Sequence, residues 1–193
     1  MNYLAHLYLS GRNREVMVGN FIADDVKGRR LDSYSTGVRR GILLHRQIDQ
    51  YMDRHEIAAE GRARLYPIYH HYAGVVNDMF YDHFLAADWR LYSAEPLWRY
   101  SVFCYTTLLS HWFELPVSVR GYLPYIILRR RLTAYAKVSG IRESLDIMSR
   151  HSSLPGRTDD AICILLDHYE EYRTEFHSFF AQIRGNLKDE IPM

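Results

Sequence analysis

The stretch Gly41-Ile42-Leu43-Leu44-His45-Arg46-Gln47-Ile48-Asp49 places two polar side chains on the apolar face of a predicted helix. His45 and Asp49 are four residues apart, so they lie one above the other on an α-helix. The same face carries an apolar stripe at three- and four-residue spacing: Gly41, Ile42, Ile48 and Met52. A buried histidine and aspartate need a hydrogen-bond partner or a metal ion. Two interpretations are therefore open, a hydrogen-bonded pair between packed helices and part of a metal site.

Polar pairs at four-residue spacing recur on three other predicted helices. They are Asn2 with His6, Asn20 with Asp24, and Asp78 with Asp82. His83 flanks the last pair, because consecutive residues on an α-helix are about 100° apart. Several helices thus direct histidines and carboxylates toward one interior. The core of a helical bundle is where side chains from facing helices build metal sites, and this recurrence favours the metal interpretation.

Apolar periodicity predicts helices along most of the chain. We predict them at about 2–10, 15–26, 36–54, 68–92, 95–113, 139–150 and 158–185, with a basic, polar loop over 28–35. No segment alternates apolar and polar residues in the manner of a β-strand, and no internal repeat or linker divides the chain. The sequence therefore predicts an all-α helical bundle in which residues 1–193 form a single domain.

Composition excludes several classes of protein. The chain has 193 residues, of which 48% are hydrophobic, so a disordered protein is not expected. Its 24 basic and 23 acidic residues give a net charge of +1, which argues against a general nucleic-acid binder. Cys104 and Cys163 both lie in apolar stretches, so we expect two buried thiols and no disulfide framework.

The chain contains no apolar run of about 18 residues, the length that a membrane-spanning helix needs. Residues 1–6 also lack the basic segment and the long apolar run of a signal peptide. We therefore expect a cytoplasmic protein that does not bind a membrane.

The inward-facing polar residues suit divalent-metal chemistry. Histidine nitrogen and carboxylate oxygen are ligands for manganese, zinc, iron or magnesium, and a site rich in aspartate favours a hard or borderline ion. Such an ion polarises a phosphoryl oxygen, so the predicted reaction is phosphoester hydrolysis. Arg46 could hold a phosphate through its planar guanidinium, although a surface salt bridge explains it equally well. The chain has no nucleophilic-serine elbow, phosphate-binding loop or dinucleotide motif.

Five blocks of the sequence together resemble the bacterial acyl carrier protein phosphodiesterases. They are residues 1–6 (MNYLAH), 19–24 (GNFIAD), 26–28 (VKG), 41–49 (GILLHRQID) and 81–85 (YDHFL). The resemblance implies hydrolysis of the phosphodiester that links 4′-phosphopantetheine to the serine of holo-acyl carrier protein, which leaves the apo-carrier. It also implies a divalent cofactor, Mn²⁺ or Mg²⁺, and a helical fold distantly related to the HD-type metal phosphohydrolases.

The resemblance also implies the site residues. Its motifs suggest Asp24, His45, Asp82 and His83 as metal ligands, with Asp78 matched by its spacing and Asp49 as a supporting residue of the same motif. Asp24, His45 and Asp82 are the leading ligands. His6 and Arg46 are expected to stabilise charge on the phosphoryl oxygens.

The partner implied by the resemblance is acyl carrier protein, a small and strongly acidic protein. Two basic segments could attract it: Lys27, Arg29, Arg30, Arg39 and Arg40, and residues 129–131. We expect the first, because it flanks the site motifs. Two other functions stay open. One is an HD-like phosphohydrolase that acts on a nucleotide or small phosphoester, and the other is a non-enzymatic helical binding protein whose polar pairs fix helix register.

Overall fold

The computed structural model describes residues 2–187, except for the side chains of residues 28–30. The helices are α1 (Tyr3–Leu9), α2 (Arg14–Ile22), α3 (Thr36–Arg54), α4 (Glu56–Tyr69), α5 (Ala73–Ala87), α6 (Leu97–Ser110), α7 (Val117–Leu128), α8 (Arg131–Ala134), α9 (Val138–His151), α10 (Thr158–Asp167) and α11 (Tyr169–Asn186). Short 3₁₀ turns connect several of them, and this described part contains no β-strand. The predicted all-α fold is confirmed. No helix within these bounds is both long and apolar enough to span a membrane.

Helices α2 and α3 pack with their backbones almost in contact. A Cβ atom added to Gly19 would lie 1.9 Å from the carbonyl oxygen of Val38, and one added to Gly41 would lie 2.1 Å from that of Val16. Only glycine fits at either position, because any larger residue would push the helices apart. This close approach brings the end of α2 next to the middle of α3, where His45 lies.

Helix α5 occupies the centre of the fold and packs against α1, α4, α9 and α11. Its aromatic side chains Phe80, Tyr81 and Phe84 are fully buried. Phe80 meets Tyr172 of α11, and the other two meet Phe176 of the same helix. Aromatic side chains bury large apolar areas, so this contact contributes much of the core. Helix α1 lies on the other side of α5 and carries His6 into the interior.

Two predicted helices are divided in the structure. The helix predicted over 68–92 is wrong at both ends, because α5 spans only Ala73–Ala87. Residues 68 and 69 belong to α4, a helix that was not predicted. His70 lies between α4 and α5 and has a positive φ of 48°. Glycine is the residue that usually takes such a backbone conformation, so nothing in the sequence signals this break. The helix predicted over 158–185 breaks at His168 between α10 and α11. The loop predicted over 28–35 contains a 3₁₀ helix, Gly28–Ser33.

The two thiols lie in different environments. Cys104 is buried in α6, as predicted, and burial raises the pKa of its thiol to about 12. The prediction of a buried Cys163 is wrong, because this side chain is exposed on α10. Ile162 and Leu165, two of the four buried residues of that helix, are three apart and face the core, whereas Cys163 lies about 100° away from Ile162.

Candidate metal centre

Two histidines from different helices stack at the centre of the candidate site. The rings of His6 on α1 and His45 on α3 have centroids 4.0 Å apart and are inclined by 15°. Asp49, one turn after His45, reaches both: its Oδ1 is 3.2 Å from His6 Nε2 and its Oδ2 is 3.0 Å from His45 Nε2. Each of the three offers a ligand atom within 4.8 Å of the others. Among the described residues, they form the one group of three such side chains that could hold a metal ion.

Asn20 of α2 sets the orientation of both rings. The Nδ1 of His45 lies 2.7 Å from the backbone carbonyl oxygen of Asn20, and a carbonyl only accepts, so Nδ1 carries the proton and donates. The Nδ1 of His6 donates in the same way to the side-chain oxygen of Asn20, at 2.8 Å. The Asn20 amide nitrogen in turn donates to the His6 carbonyl and to the Ser10 hydroxyl. In a neutral ring the remaining nitrogen, Nε2, therefore carries a lone pair directed at Asp49.

The two histidines hold protons with very different strength. Burial lowers the pKa of His6 to about 4, so this ring is neutral near pH 7. Burial acts in the same direction on His45, but hydrogen bonds with Asp24 and Asp49 outweigh it and raise the pKa to about 9. Burial would also raise the pKa of Asp49, yet its close contacts with the two histidines, His45 above all, lower it. Without a metal ion, His45 thus keeps a proton between two carboxylates.

The donor set fits a divalent ion. The Nε2 atom of His6 is buried and makes no hydrogen bond of good geometry, although Asp49 Oδ1 lies 3.2 Å away. A neutral imidazole nitrogen and a carboxylate oxygen at this distance repel each other unless a cation lies between them. Neutral imidazole and carboxylate are also the ligands that Mn²⁺, Fe²⁺ and Zn²⁺ share. His6 was expected to stabilise phosphoryl charge, whereas the geometry makes it a candidate ligand.

Asp24 and Arg46 border the cluster on its solvent side. The Oδ1 of Asp24 is 3.3 Å from His45 Nε2, and its side chain is 83% exposed. The hydrogen bond with His45 is the main reason that the pKa of Asp24 is lowered. Arg46 is exposed on α3 and donates a long hydrogen bond, 3.5 Å, to the carbonyl oxygen of Val26. The guanidinium of Arg46 therefore lies beside the segment that carries Asp24.

The structure does not bring Asp82 into the cluster. Its two carboxylate oxygens accept hydrogen bonds from the backbone amides of Leu4 and Ala5, at 2.7 and 3.0 Å. The side chain is fully buried, and burial raises its pKa to about 7 although these two bonds lower it. Asp82 therefore fixes the first turn of α1, immediately before His6. Asp78 lies one turn earlier on α5, where burial raises the pKa of its carboxyl and the charge of Asp49 acts in the same direction.

His83 lies outside the cluster as well, and both of its ring nitrogens have partners. Its Nδ1 donates to the carbonyl oxygen of Tyr135 at 2.8 Å, so its Nε2 accepts from the hydroxyl of Tyr169 at 2.9 Å. Burial lowers the pKa of this histidine, which keeps the ring neutral. These contacts connect α5 to the segment after α8 and to α11.

A family model described as acyl carrier protein phosphodiesterase matches residues 1–183 of this chain. The chain belongs to the acyl carrier protein phosphodiesterase family. Proteins of that name from Serratia proteamaculans (strain 568) and Photorhabdus laumondii subsp. laumondii are each 28% identical to it. The first alignment covers 98% of both chains, and the second covers 93% of this chain and 91% of the relative. A relative of the same name from Yersinia enterocolitica is 27% identical over 98% of both chains.

The resemblance to the acyl carrier protein phosphodiesterase family, seen in five short blocks, is thereby confirmed for almost the whole chain. No solved structure matches this chain. The distant relation to HD-type phosphohydrolases stays a prediction.

Asn20 is the site residue whose role the sequence did not reveal. Its spacing of four residues from Asp24 placed it on the inward face, but the pattern assigned it no function. The structure shows that its main chain and its side chain each orient one histidine. A second unpredicted contact involves Asp25, which follows Asp24: its carboxylate accepts hydrogen bonds from Ser118 and Tyr122 of α7. No spacing rule connects residues so far apart in the chain.

Proposed function

We propose that this chain is a metal-dependent phosphodiesterase that hydrolyses the bond between 4′-phosphopantetheine and the serine of a holo-acyl carrier protein. The observation that carries the proposal is the His6–His45–Asp49 cluster in a member of a family named for this activity. The products are phosphopantetheine and the apo-carrier. Each relative named above is itself called an acyl carrier protein phosphodiesterase, which supports the choice of substrate.

The roles of the residues follow from their positions. His6, His45 and Asp49 would hold the ion, and Asp24 would complete the ligand set from the solvent side. A divalent ion polarises a phosphoryl oxygen and lowers the pKa of a bound water. Arg46 would bind the phosphoryl oxygens through its planar guanidinium, because it borders the same side as Asp24. Asp82 supports the site indirectly, since it holds α1 in the position that His6 needs.

The proposal is tested by incubating purified protein with holo-acyl carrier protein and following the carrier by intact-protein mass spectrometry. We expect conversion to the apo form with Mn²⁺, none after treatment with EDTA, and recovery when Mn²⁺ is restored. A panel of nucleotides and small phosphoesters is assayed in parallel. Faster turnover of a nucleotide than of the holo-carrier would favour the broader phosphohydrolase function. A protein that binds no metal and cleaves nothing would instead be a helical binding protein.

Metal binding is expected to release about one proton near pH 7.5. His45, with a pKa of about 9, must lose its proton to become a ligand, whereas His6, with a pKa of about 4, is already neutral. The affinity for Mn²⁺ should therefore rise about tenfold per pH unit up to pH 9 and then level off. Activity should fall on acidification, and excess Mn²⁺ should move that fall to lower pH.

Calorimetry in two buffers with different ionisation enthalpies measures the number of protons released. At pH 7.5 a value near one is expected, and a value of zero would contradict the assignment of His45 as a ligand.

A further inference from the structure

The solvent-facing side of α7 is apolar along its whole length. Val117 is 76% exposed and Leu128 is 80% exposed, and Gly121 and Pro124 between them are exposed as well. Their spacing of four, three and four residues places them in one line on the helix. Phe113, just before α7, is 91% exposed. We call these five residues the α7 ridge. A line of exposed apolar residues of this kind is a candidate interaction site.

One flank of α7, next to the ridge, is bonded to the segment that carries Asp24. The hydroxyl of Ser118 donates a short hydrogen bond to Asp25, and the hydroxyl of Tyr122 donates to the same carboxylate at 3.2 Å. Asp25 follows Asp24, whose carboxylate lies 3.3 Å from His45 Nε2. The ring of Tyr122 also stacks on that of Tyr3 in α1. Helix α7, which carries the ridge, is therefore a direct neighbour of the segment that holds Asp24 at the exposed side of the site.

Along residues 113–130 basic side chains outnumber acidic ones, whereas the carboxylates of Asp24 and Asp25 lie toward the metal centre. Helix α7 has one charged side chain, Arg120, and exposed Arg129 and Arg130 follow its end, against a single acidic residue, Glu114, before its start. The side chains of Lys27, three residues after Asp24, and of Arg40 on α3 are exposed as well.

The two basic segments predicted to attract the carrier, residues 27–40 and 129–131, contribute unequally to the charge around the α7 ridge. The side chains of Arg29 and Arg30 lie outside the described residues. Arg131 cannot contribute, because it is buried and bonded to Glu143 and to the Gly140 carbonyl. A complementary partner would present apolar side chains ringed by carboxylates.

We infer that the α7 ridge is the docking surface for the protein part of the substrate, an acidic carrier protein whose apolar side chains lie on the ridge. The phosphoester then reaches the metal centre past Asp24. This inference rests on the proposed function, since it assumes that the substrate is a protein. A second copy of this chain is a poorer occupant, because pairing two ridges would bring the arginines of both copies together.

The test replaces two ridge residues, Val117→Ser with Leu128→Ser, and uses Leu166→Ser on α10 as the matched control. Leu166 is 56% exposed and lies on a helix that does not border the site. In the double variant we expect the KM for holo-carrier to rise at least tenfold, about the effect of losing one strong interface contact, with kcat within about twofold. Hydrolysis of bis(p-nitrophenyl) phosphate with Mn²⁺ should not change, because this substrate is too small to reach the ridge. The control should match the wild type in both assays.

Binding of apo-carrier, measured by fluorescence anisotropy, separates docking from cleavage. If the wild type cleaves holo-carrier and the double variant keeps its KM, the inference is overturned and the proposed function stands. If the wild type does not cleave holo-carrier, the proposed function fails. The affinities of the wild type and the double variant for apo-carrier then show whether the ridge is a docking surface. Weaker binding by the double variant supports docking there, whereas equal binding, or none by the wild type, overturns it. A wild-type dimer that the double variant cannot form, with KM unchanged, would assign the ridge to self-association.

Discussion

His45→Gln is expected to abolish Mn²⁺ binding and to lower the rate of holo-carrier cleavage by more than about 100-fold. The loss should exceed that figure, because changing a residue that only orients a ligand already costs about 10–100-fold. Glutamine can still donate a hydrogen bond to the Asn20 carbonyl, but it offers no second nitrogen toward Asp49. Helix α3 should remain folded, since its apolar face keeps Ile42, Ile48 and Met52 in the core.

The measurement combines metal analysis, thermal unfolding and the mass-spectrometric assay. His151→Gln serves as the control, because this histidine is exposed at the end of α9. Near-normal turnover by His45→Gln would place the metal site elsewhere.

Two further variants rank the two carboxylates by their contribution to activity. Asp49→Asn should cost more activity than Asp24→Asn, because Asp49 contacts both histidines whereas Asp24 contacts one and is mostly exposed.

Asp82→Ala is expected to destabilise the metal-free protein by about 2–6 kcal/mol. The substitution leaves the buried amides of Leu4 and Ala5 without an acceptor, and each unsatisfied buried group costs about 1–3 kcal/mol. For a protein of this size the corresponding fall in Tm is roughly 5–20 °C. Because His6 is the next residue on α1, Mn²⁺ binding should weaken as well.

Thermal unfolding in the presence of EDTA separates two roles for Asp82. If Asp82 anchors α1, replacing it should lower the Tm of the metal-free protein. If Asp82 only binds metal, replacing it should leave that Tm unchanged. Asp167→Ala, an exposed aspartate at the end of α10, is the control and should change the Tm by little. A metal-free Asp82→Ala variant with the wild-type Tm and no metal binding would restore Asp82 as a ligand.

The sequence predicted α3 well because its signals agree with one another. Ser35 caps the helix by accepting a hydrogen bond from the amide of Val38, and the apolar stripe continues to Met52. The predicted bounds of 36–54 are those observed. Helix α4 was not predicted, because its polar residues and Pro67 suggested a break before residue 68. Pro67 instead lies inside α4, and the break falls at His70, where no glycine or proline marks it.

Helical spacing predicts which face a side chain occupies but not which neighbour it meets. His45 and Asp49 were expected together on an inward face, and they do lie together. Asp82 satisfied the same spacing rule, yet it meets the start of α1 and not the two histidines. The partner of a buried aspartate depends on tertiary packing, and periodicity carries no information about that packing. The role of Asn20 was invisible for the same reason, since half of it belongs to the main chain.

The backbone approach of α2 and α3 has a consequence for the tuning of the candidate site. Gly19 precedes Asn20, and Gly41 lies one turn before His45, so both glycines stand directly beside the bond between His45 Nδ1 and the Asn20 carbonyl. Because neither glycine has a side chain, the two backbones can approach closely enough for the Asn20 carbonyl to accept a hydrogen bond from the imidazole at 2.7 Å. A single added methyl group would lengthen the bond and free the ring to rotate or to change tautomer. Two residues without side chains thus set the helix separation on which the orientation of the His45 ring depends.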